Sequence, residues 1–244
     1  PGDEIRHVDW KLYGKTDRYF VKQYEEETNL RSYILLDISR SMEYKSDKIS
    51  KLDYGNYLSA ALAYLMINQQ DGVGLTLFDN KIKTFIPPRS KPSHVNTILS
   101  HLDNIGSGKD TDVGLVLHEM AERIKKRGLV IIISDLFDEV ENIMRGLKHF
   151  RHNKQEIIVF HVMDRKELEF DFTNRTKFKD METNEQITTE PWKIRKVYQK
   201  SIQSYQNELR LKCREQKIDY VPLFTYQRLD LALNEYLKKR QRLG

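Results

Sequence analysis

Three short runs limit the fold more than anything else in this chain: YILLD (33–37), LVIIISD (129–135) and IIVFH (157–161). Each is apolar at nearly every position before its polar end. A strand can hide both faces only inside a parallel sheet covered by helices on either side. VGLTLF (73–78) reads as a further strand, and KIKTFI (81–86) follows the turn pair Asp79–Asn80, which predicts a hairpin.

Between these runs the period changes to that of a helix. Leu58, Ala61, Leu62 and Leu65 fall on one face of a helix over about 52–69. Val113, Val116, Leu117, Met120, Ala121 and Ile124 sustain the same spacing, and a shorter helix is predicted over about 139–150. The alternation predicts a doubly wound, mostly parallel α/β sheet flanked by helices, with right-handed crossovers.

The two ends read differently. The first thirty residues, rich in aromatic and charged side chains (DWKLYGKTDRYFVKQYEEE), are expected to form an irregular arm plus a strand. ELEFDF (167–172) alternates polar and apolar, TNRT follows, and KFKDME (177–182) comes next, which predicts a hairpin appended to the sheet. After Pro191 a helix is expected to about 216, with Ile194, Val197, Tyr198, Tyr205 and Leu209 on one side. DYVPLF (219–224) contains a proline and so belongs at a sheet edge. A last helix would place Leu229, Ala232, Leu233, Tyr236 and Leu237 on one face. The expected organisation is one domain, with an arm at 1–30, a core at 31–162 and an extension at 163–244.

Composition narrows the function classes. With 39% hydrophobic and 32% charged residues, the 244-residue chain has the make-up of a water-soluble globular protein, and its longest apolar runs fall far short of a membrane span. The net charge of +5 invites a nucleic-acid reading. The basic residues alternate with acids, however, and the clusters RIKKR (123–127) and KKRQR (238–242) sit at predicted helix C-termini, where cations suit the dipole and a solvated surface. The single cysteine, Cys213, rules out an internal disulfide and suits a reducing, cytoplasmic setting. No signal peptide is visible, yet the chain opens on Pro1, leaving open a longer parent with an N-terminal anchor.

Ligand sites in open parallel sheets collect where the strands end at their carboxyl side. Asp37 ends one such strand and Asp135 another, while the loop after the first supplies Ser39 and Ser41 in a D-x-S-x-S pattern. The loop GSGKDTD (106–112) supplies Thr111. Two carboxylates and three hydroxyls form a hard oxygen set that suits Mg²⁺, or Mn²⁺, and leaves the ion able to attract one more anionic oxygen. Taken singly, each residue has a structural use: an Asp caps a turn, a loop serine satisfies amides, and Thr111 could be a helix N-cap. The combined spacing favours a metal site.

This pattern resembles the metal-ion-dependent adhesion site of von Willebrand factor A-type domains, in which D-x-S-x-S follows the first strand, a Thr comes from a second loop and an Asp from a third. The resemblance implies metal-ligand roles for Asp37, Ser39, Ser41, Thr111 and Asp135. Lys109 and Asp110 stand where that family has glycine before the threonine, which makes Asp110 a candidate for supporting the site, with Asp112 and Asp138 beside it. More specifically, PGDEIRHVDWKLYGKTDRYFVKQYEEE, ISDLFD, VMDRKELEF, IRKVYQ and LALNEYLKKR resemble the bacterial family named domain of unknown function 58. That resemblance spans essentially the whole chain. It implies a partner of the MoxR-type AAA+ ATPase class, or a client of that ATPase, in a chaperone-like or assembly role.

Enzymatic readings fare worse. GSGKDT lacks the first glycine and the Ser or Thr of a phosphate-binding loop, because Asp103 and Asp110 stand in those places. A Mg²⁺-dependent phosphatase with Asp37 as nucleophile would need a second acid where Ser39 stands. No G-x-S-x-G elbow occurs, and the histidines form no ligand set in sequence. The expectation is a non-enzymatic interaction module.

Overall fold

The computed structural model describes residues 30–106, 108, 112–172, 176–179, 186–189 and 191–243; for 176–179 and 186–189 only the backbone is described. The main sheet is built from β1 (Arg31–Asp37), β2 (Gly72–Phe78), β3 (Ile82–Arg89), β4 (Leu129–Ser134), β5 (Glu156–Met163) and β8 (Asp219–Phe224). Its strand order is β3-β2-β1-β4-β5-β8. All neighbours run parallel except the β2–β3 hairpin. The proline strand lies at the edge, as expected, because Pro222 cannot donate to a further partner.

Helices cover both faces: α1 (Lys51–Asn68), α2 (His94–Asp103), α3 (Val113–Arg123), α4 (Val140–His152), α5 (Arg165–Glu169), α6 (Pro191–Glu215) and α7 (Asp230–Leu243). Alternate residues of β1 explain the three layers. Ile34 and Leu36 join Leu58, Leu62, Met66, Ala232 and Tyr236 on one face. Tyr33 and Leu35 join Val116, Leu117, Ile143, Leu147 and Leu209 on the other. The result is a doubly wound, mostly parallel α/β sheet with helices on both faces.

Three expectations need correction. ELEFDF does not form a strand, because residues 165–169 are helical. Asp164 accepts from the Lys166 amide while Glu167 accepts from the Asp164 amide, a capping box that nucleates a turn of helix. The hairpin lies further on, as β6 (Thr176–Lys179) paired with β7 (Gln186–Thr189), in a separate two-stranded sheet. Along α6 the predicted apolar side is only partly buried: Leu209 is fully buried, whereas Val197 is 69% exposed. The basic cluster 238–242 is not simply solvated either. Lys239 reaches Glu156 at 2.8 Å and Asp219 at 3.1 Å, and Arg240 meets Asp71. The predicted N-terminal arm lies outside the described residues.

Candidate metal centre

The strand order reverses beside β1: the chain goes from β1 to β2 on one side and comes back to β4 on the other. Loops leaving the carboxyl ends of β1 and β4 therefore diverge and open a crevice. The register Leu36↔Ile133 brings Asp37 level with Ser134. Ser134 Oγ donates to Asp37 Oδ2 at 2.6 Å, and the Ser39 amide donates to Asp37 Oδ1 at 2.9 Å. The loop after β1 forms a short 3-10 turn, Arg40–Glu43, anchored by fully buried Met42. Within it Ser39 Oγ and Ser41 Oγ lie 3.0 Å apart. The Ser39 hydroxyl thus stands next to the Asp37 carboxylate, with Ser41 beside it.

Asp135 follows β4 directly. Its Oδ2 receives Lys51 Nζ at 2.8 Å, and the same ammonium meets Glu167 Oε1 at 2.6 Å. The Ser41 hydroxyl lies near enough to favour ionised Asp135. Even so, no donor among the described residues meets hydrogen-bond geometry at the buried Asp135 Oδ1. Beyond Asp135 the backbone turns sharply through Leu136, whose φ of 52° is unusual for a branched residue. The Leu136 amide donates to Ser134 Oγ at 2.8 Å, and Tyr205 Oη lies within hydrogen-bond reach of the Leu136 and Asp138 carbonyls. The helix α6 thereby holds the loop that carries Asp135.

The charges here are mismatched. Burial, together with the neighbouring charge of Asp135, pushes the Asp37 pKa up to about 7, against the hydrogen bonds from Ser134 and Ser39. Burial also opposes ionisation of Asp135, but the Lys51 ammonium outweighs it and holds Asp135 below the usual carboxylate range. Burial likewise opposes the charge on Lys51, yet Asp135 and Glu167 keep it firmly protonated. Glu167 is pushed upward by burial despite Lys51. Asp135 and Glu167 therefore share one ammonium, while Asp37 lies beside Asp135.

A hard dication fits this donor set. The set has two strand-end carboxylates, two adjacent hydroxyls and one buried carboxylate oxygen without a hydrogen-bond partner among the described residues, and a dication would offset the surplus negative charge. Among the described residues no three His, Cys, Asp or Glu side chains are placed to hold a metal ion by themselves, so hydroxyl oxygens must share in any such site.

Asp37, Ser39, Ser41 and Asp135 are thus brought together. Thr111 and Asp110 lie outside the described residues. Gly108 shows how close their loop comes: a Cβ there would lie 1.8 Å from the Ile38 carbonyl oxygen, so the two loops touch backbone to backbone. Asp112 and Asp138 are occupied by helix ends. Asp112 caps α3 through the Leu115 amide, and Asp138 accepts from the amides of Gly114 and Glu139. The helix cap considered for Thr111 therefore belongs to Asp112.

Sequence reasoning missed Lys51, Ser134 and Glu167. A lysine in the first turn of a helix opposes the dipole, and that misfit was the available signal for Lys51. Ser134 is two positions beyond inward-pointing Ile132 on a fully buried strand, where a hydroxyl needs a partner.

Comparison with known proteins adds the following. The family described as "Protein of unknown function DUF58" matches residues 1–208. The uncharacterized protein Rv1480 of Mycobacterium tuberculosis (strain ATCC 25618 / H37Rv) is 23% identical over 186 residues, 75% of this chain. The chain spans 58% of the length of that relative. Among solved structures, the conserved hypothetical protein BatB from Bacteroides thetaiotaomicron has a TM-score of 0.56 at 17% identity, covering 87% of this chain and 99% of its own. An aerotolerance-related membrane protein from Bacteroides fragilis NCTC 9343, carrying multiple mutations to serines, has a TM-score of 0.58 at 17% identity over 86% of this chain and 99% of its own. At that identity the likeness concerns the fold alone.

Proposed function

The chain belongs to the DUF58 family, and from that premise we propose that it is a non-enzymatic protein-interaction module working through a Mg²⁺-dependent adhesion-type site. Asp37, Ser39, Ser41 and Asp135 would hold the ion, with Thr111 contributing from the neighbouring loop. The bound ion would supply an open coordination position for a carboxylate of a partner protein. The protein's own residues would do the rest: Ser134 and the Ser39 amide orient Asp37, Lys51 offsets part of the buried charge, and Tyr205 holds the loop of Asp135.

One observation carries the reading: two buried carboxylates at adjacent strand ends, one keeping an oxygen with no hydrogen-bond partner among the described residues. The resemblance to the family's AAA+-associated members supports a MoxR-type ATPase, or its client, as partner in an assembly role. A lone buried cysteine agrees with a reducing, cytoplasmic setting, and no helix among the described residues is long and apolar enough to cross a membrane. Asp37 is a poor candidate nucleophile, because both its oxygens accept hydrogen bonds and burial disfavours its charge.

Thermal unfolding tests the reading. Mg²⁺ or Mn²⁺ at about 100 times its dissociation constant should stabilise the folded protein by about 2.7 kcal/mol relative to EDTA. Asp37→Ala should lose that increment. Equal responses of wild type and variant to EDTA would refute the site.

A further inference from the structure

A cavity of about 520 Å³ opens beside the candidate metal centre, between the ends of β4 and β5, α5 and α6. Its size lies in the range that takes an organic group rather than a few waters. Leu136, Phe137, Leu168, Tyr198, Ile202 and Tyr205 make its walls largely apolar. The floor is polar, and three of its groups are engaged elsewhere. Lys51 lies between Asp135 and Glu167, His161 Nδ1 lies 2.6 Å from Tyr220 Oη, and Tyr205 Oη is turned to backbone carbonyls. An anionic guest would find Lys51 already held by two carboxylates, whereas an apolar one gains from leaving water.

Two features connect the cavity to the crevice where the metal ligands meet. Asp135 belongs to both, lining the cavity with the carboxylate whose second oxygen has no hydrogen-bond partner among the described residues. Phe137, two residues further on, is 66% exposed and contributes to the cavity wall, an apolar side chain held out where a partner would arrive. A segment bent at its acidic residue would carry the flanking side chain to the cavity while its carboxylate meets the metal, since consecutive Cα atoms lie only about 3.8 Å apart.

We propose that this cavity is a specificity pocket that takes a large apolar side chain, aromatic or aliphatic, immediately next to the partner's metal-binding Asp or Glu. The proposal rests on the metal-site reading above. The partner segment recognised is then an acidic residue flanked by bulky apolar ones, and acidity alone does not suffice.

Three blocked tripeptides test this on the whole chain in Mg²⁺: acetyl-Phe-Asp-Phe-amide, acetyl-Ala-Asp-Ala-amide and acetyl-Phe-Asn-Phe-amide, with affinities read from NMR shift titrations. The Phe-flanked acid should bind about tenfold or more tightly than the Ala-flanked one, the gain expected for burying a large apolar side chain. The asparagine peptide should lose most of the affinity. Ser201→Trp, which places an indole on the α6 side of the cavity, should abolish the Phe advantage while leaving the Mg²⁺-dependent rise in melting temperature intact. Equal binding of the Phe- and Ala-flanked acids, with the Mg²⁺ response present, overturns the pocket and spares the metal site. A Phe advantage that survives in Ser201→Trp overturns it too. No Mg²⁺ response in wild type overturns both. Should Ser201→Trp fail to fold, the peptide comparison in wild type decides alone.

Discussion

His161 sits within the sheet near the cavity floor, 4% exposed, with Asp135 and Lys51 as its nearest charges. Burial drives its pKa down to about 4, because the water a cation would lose there outweighs the pull of Asp135, which Lys51 opposes. The unfolded chain takes up that proton near pH 6.5, well before the folded one does. The stability His161 supports is therefore present above about pH 6.5 and lost as pH falls from there toward about 4, at up to about 1.4 kcal/mol per pH unit. Urea unfolding in EDTA across this window should show that slope in wild type and a shallower one in His161→Gln. Identical slopes would remove His161 as the cause. Lys51 shows the limit of reading single residues from sequence. Lysines normally lie at the surface, and only the three-dimensional meeting of Asp135 with Glu167 accounts for a buried one.

At the scale of elements, the central strands were readable because double-sided burial leaves an unbroken apolar run, and the crossover helices because one face must meet the sheet. The D-x-S-x-S loop was readable for the same reason: it follows a strand whose end is unambiguous. ELEFDF misled because its strict alternation has the period of a strand, whereas the chain is helical to Glu169 and left-handed at Phe170. The stronger local signal lay just upstream, where Asp164 and Glu167 have capping-box spacing. Phe170, in a left-handed conformation after α5, then packs on Tyr198 with ring centroids 4.2 Å apart. Fully buried Asp164 also accepts from the Ser46 amide at 3.0 Å, so it joins α5 to the loop before α1. Asp164→Ala should cost about 2–4 kcal/mol, from a lost cap and amides left without acceptors. Hydrogen exchange should speed up at 165–169, where Glu167 holds Lys51. Unchanged exchange in that segment would show that α5 does not depend on this cap.

Across the whole molecule, the two ends of the sheet have different tasks. At the amino end, fully buried Asp71 receives Arg240 in a two-point contact, Nε at 2.7 Å and an Nη at 3.1 Å, and its Oδ1 also accepts from the Leu30 amide. This contact joins residues 169 apart in the chain and fixes α7, with Ala232 and Tyr236, over the sheet. At the carboxyl end lies the crevice with its unmatched carboxylates. The seven residues of β2 separate Asp71 from the end of the strand level with Asp37, a span of about 23 Å. Arg240→Ala leaves a buried carboxylate without its cation and should cost about 3–5 kcal/mol. At that separation the charge at one end is screened from the other, and the two sites share no side chain, so their effects should add to within about 0.5 kcal/mol. The Mg²⁺ increment in Arg240→Ala should match that of wild type, and the double variant Asp37→Ala, Arg240→Ala should show the sum of the two single effects in EDTA. A coupling above about 1 kcal/mol would mean that α7 and the strand-end loops move as one unit, and the division between a scaffold end and a binding end would have to be given up.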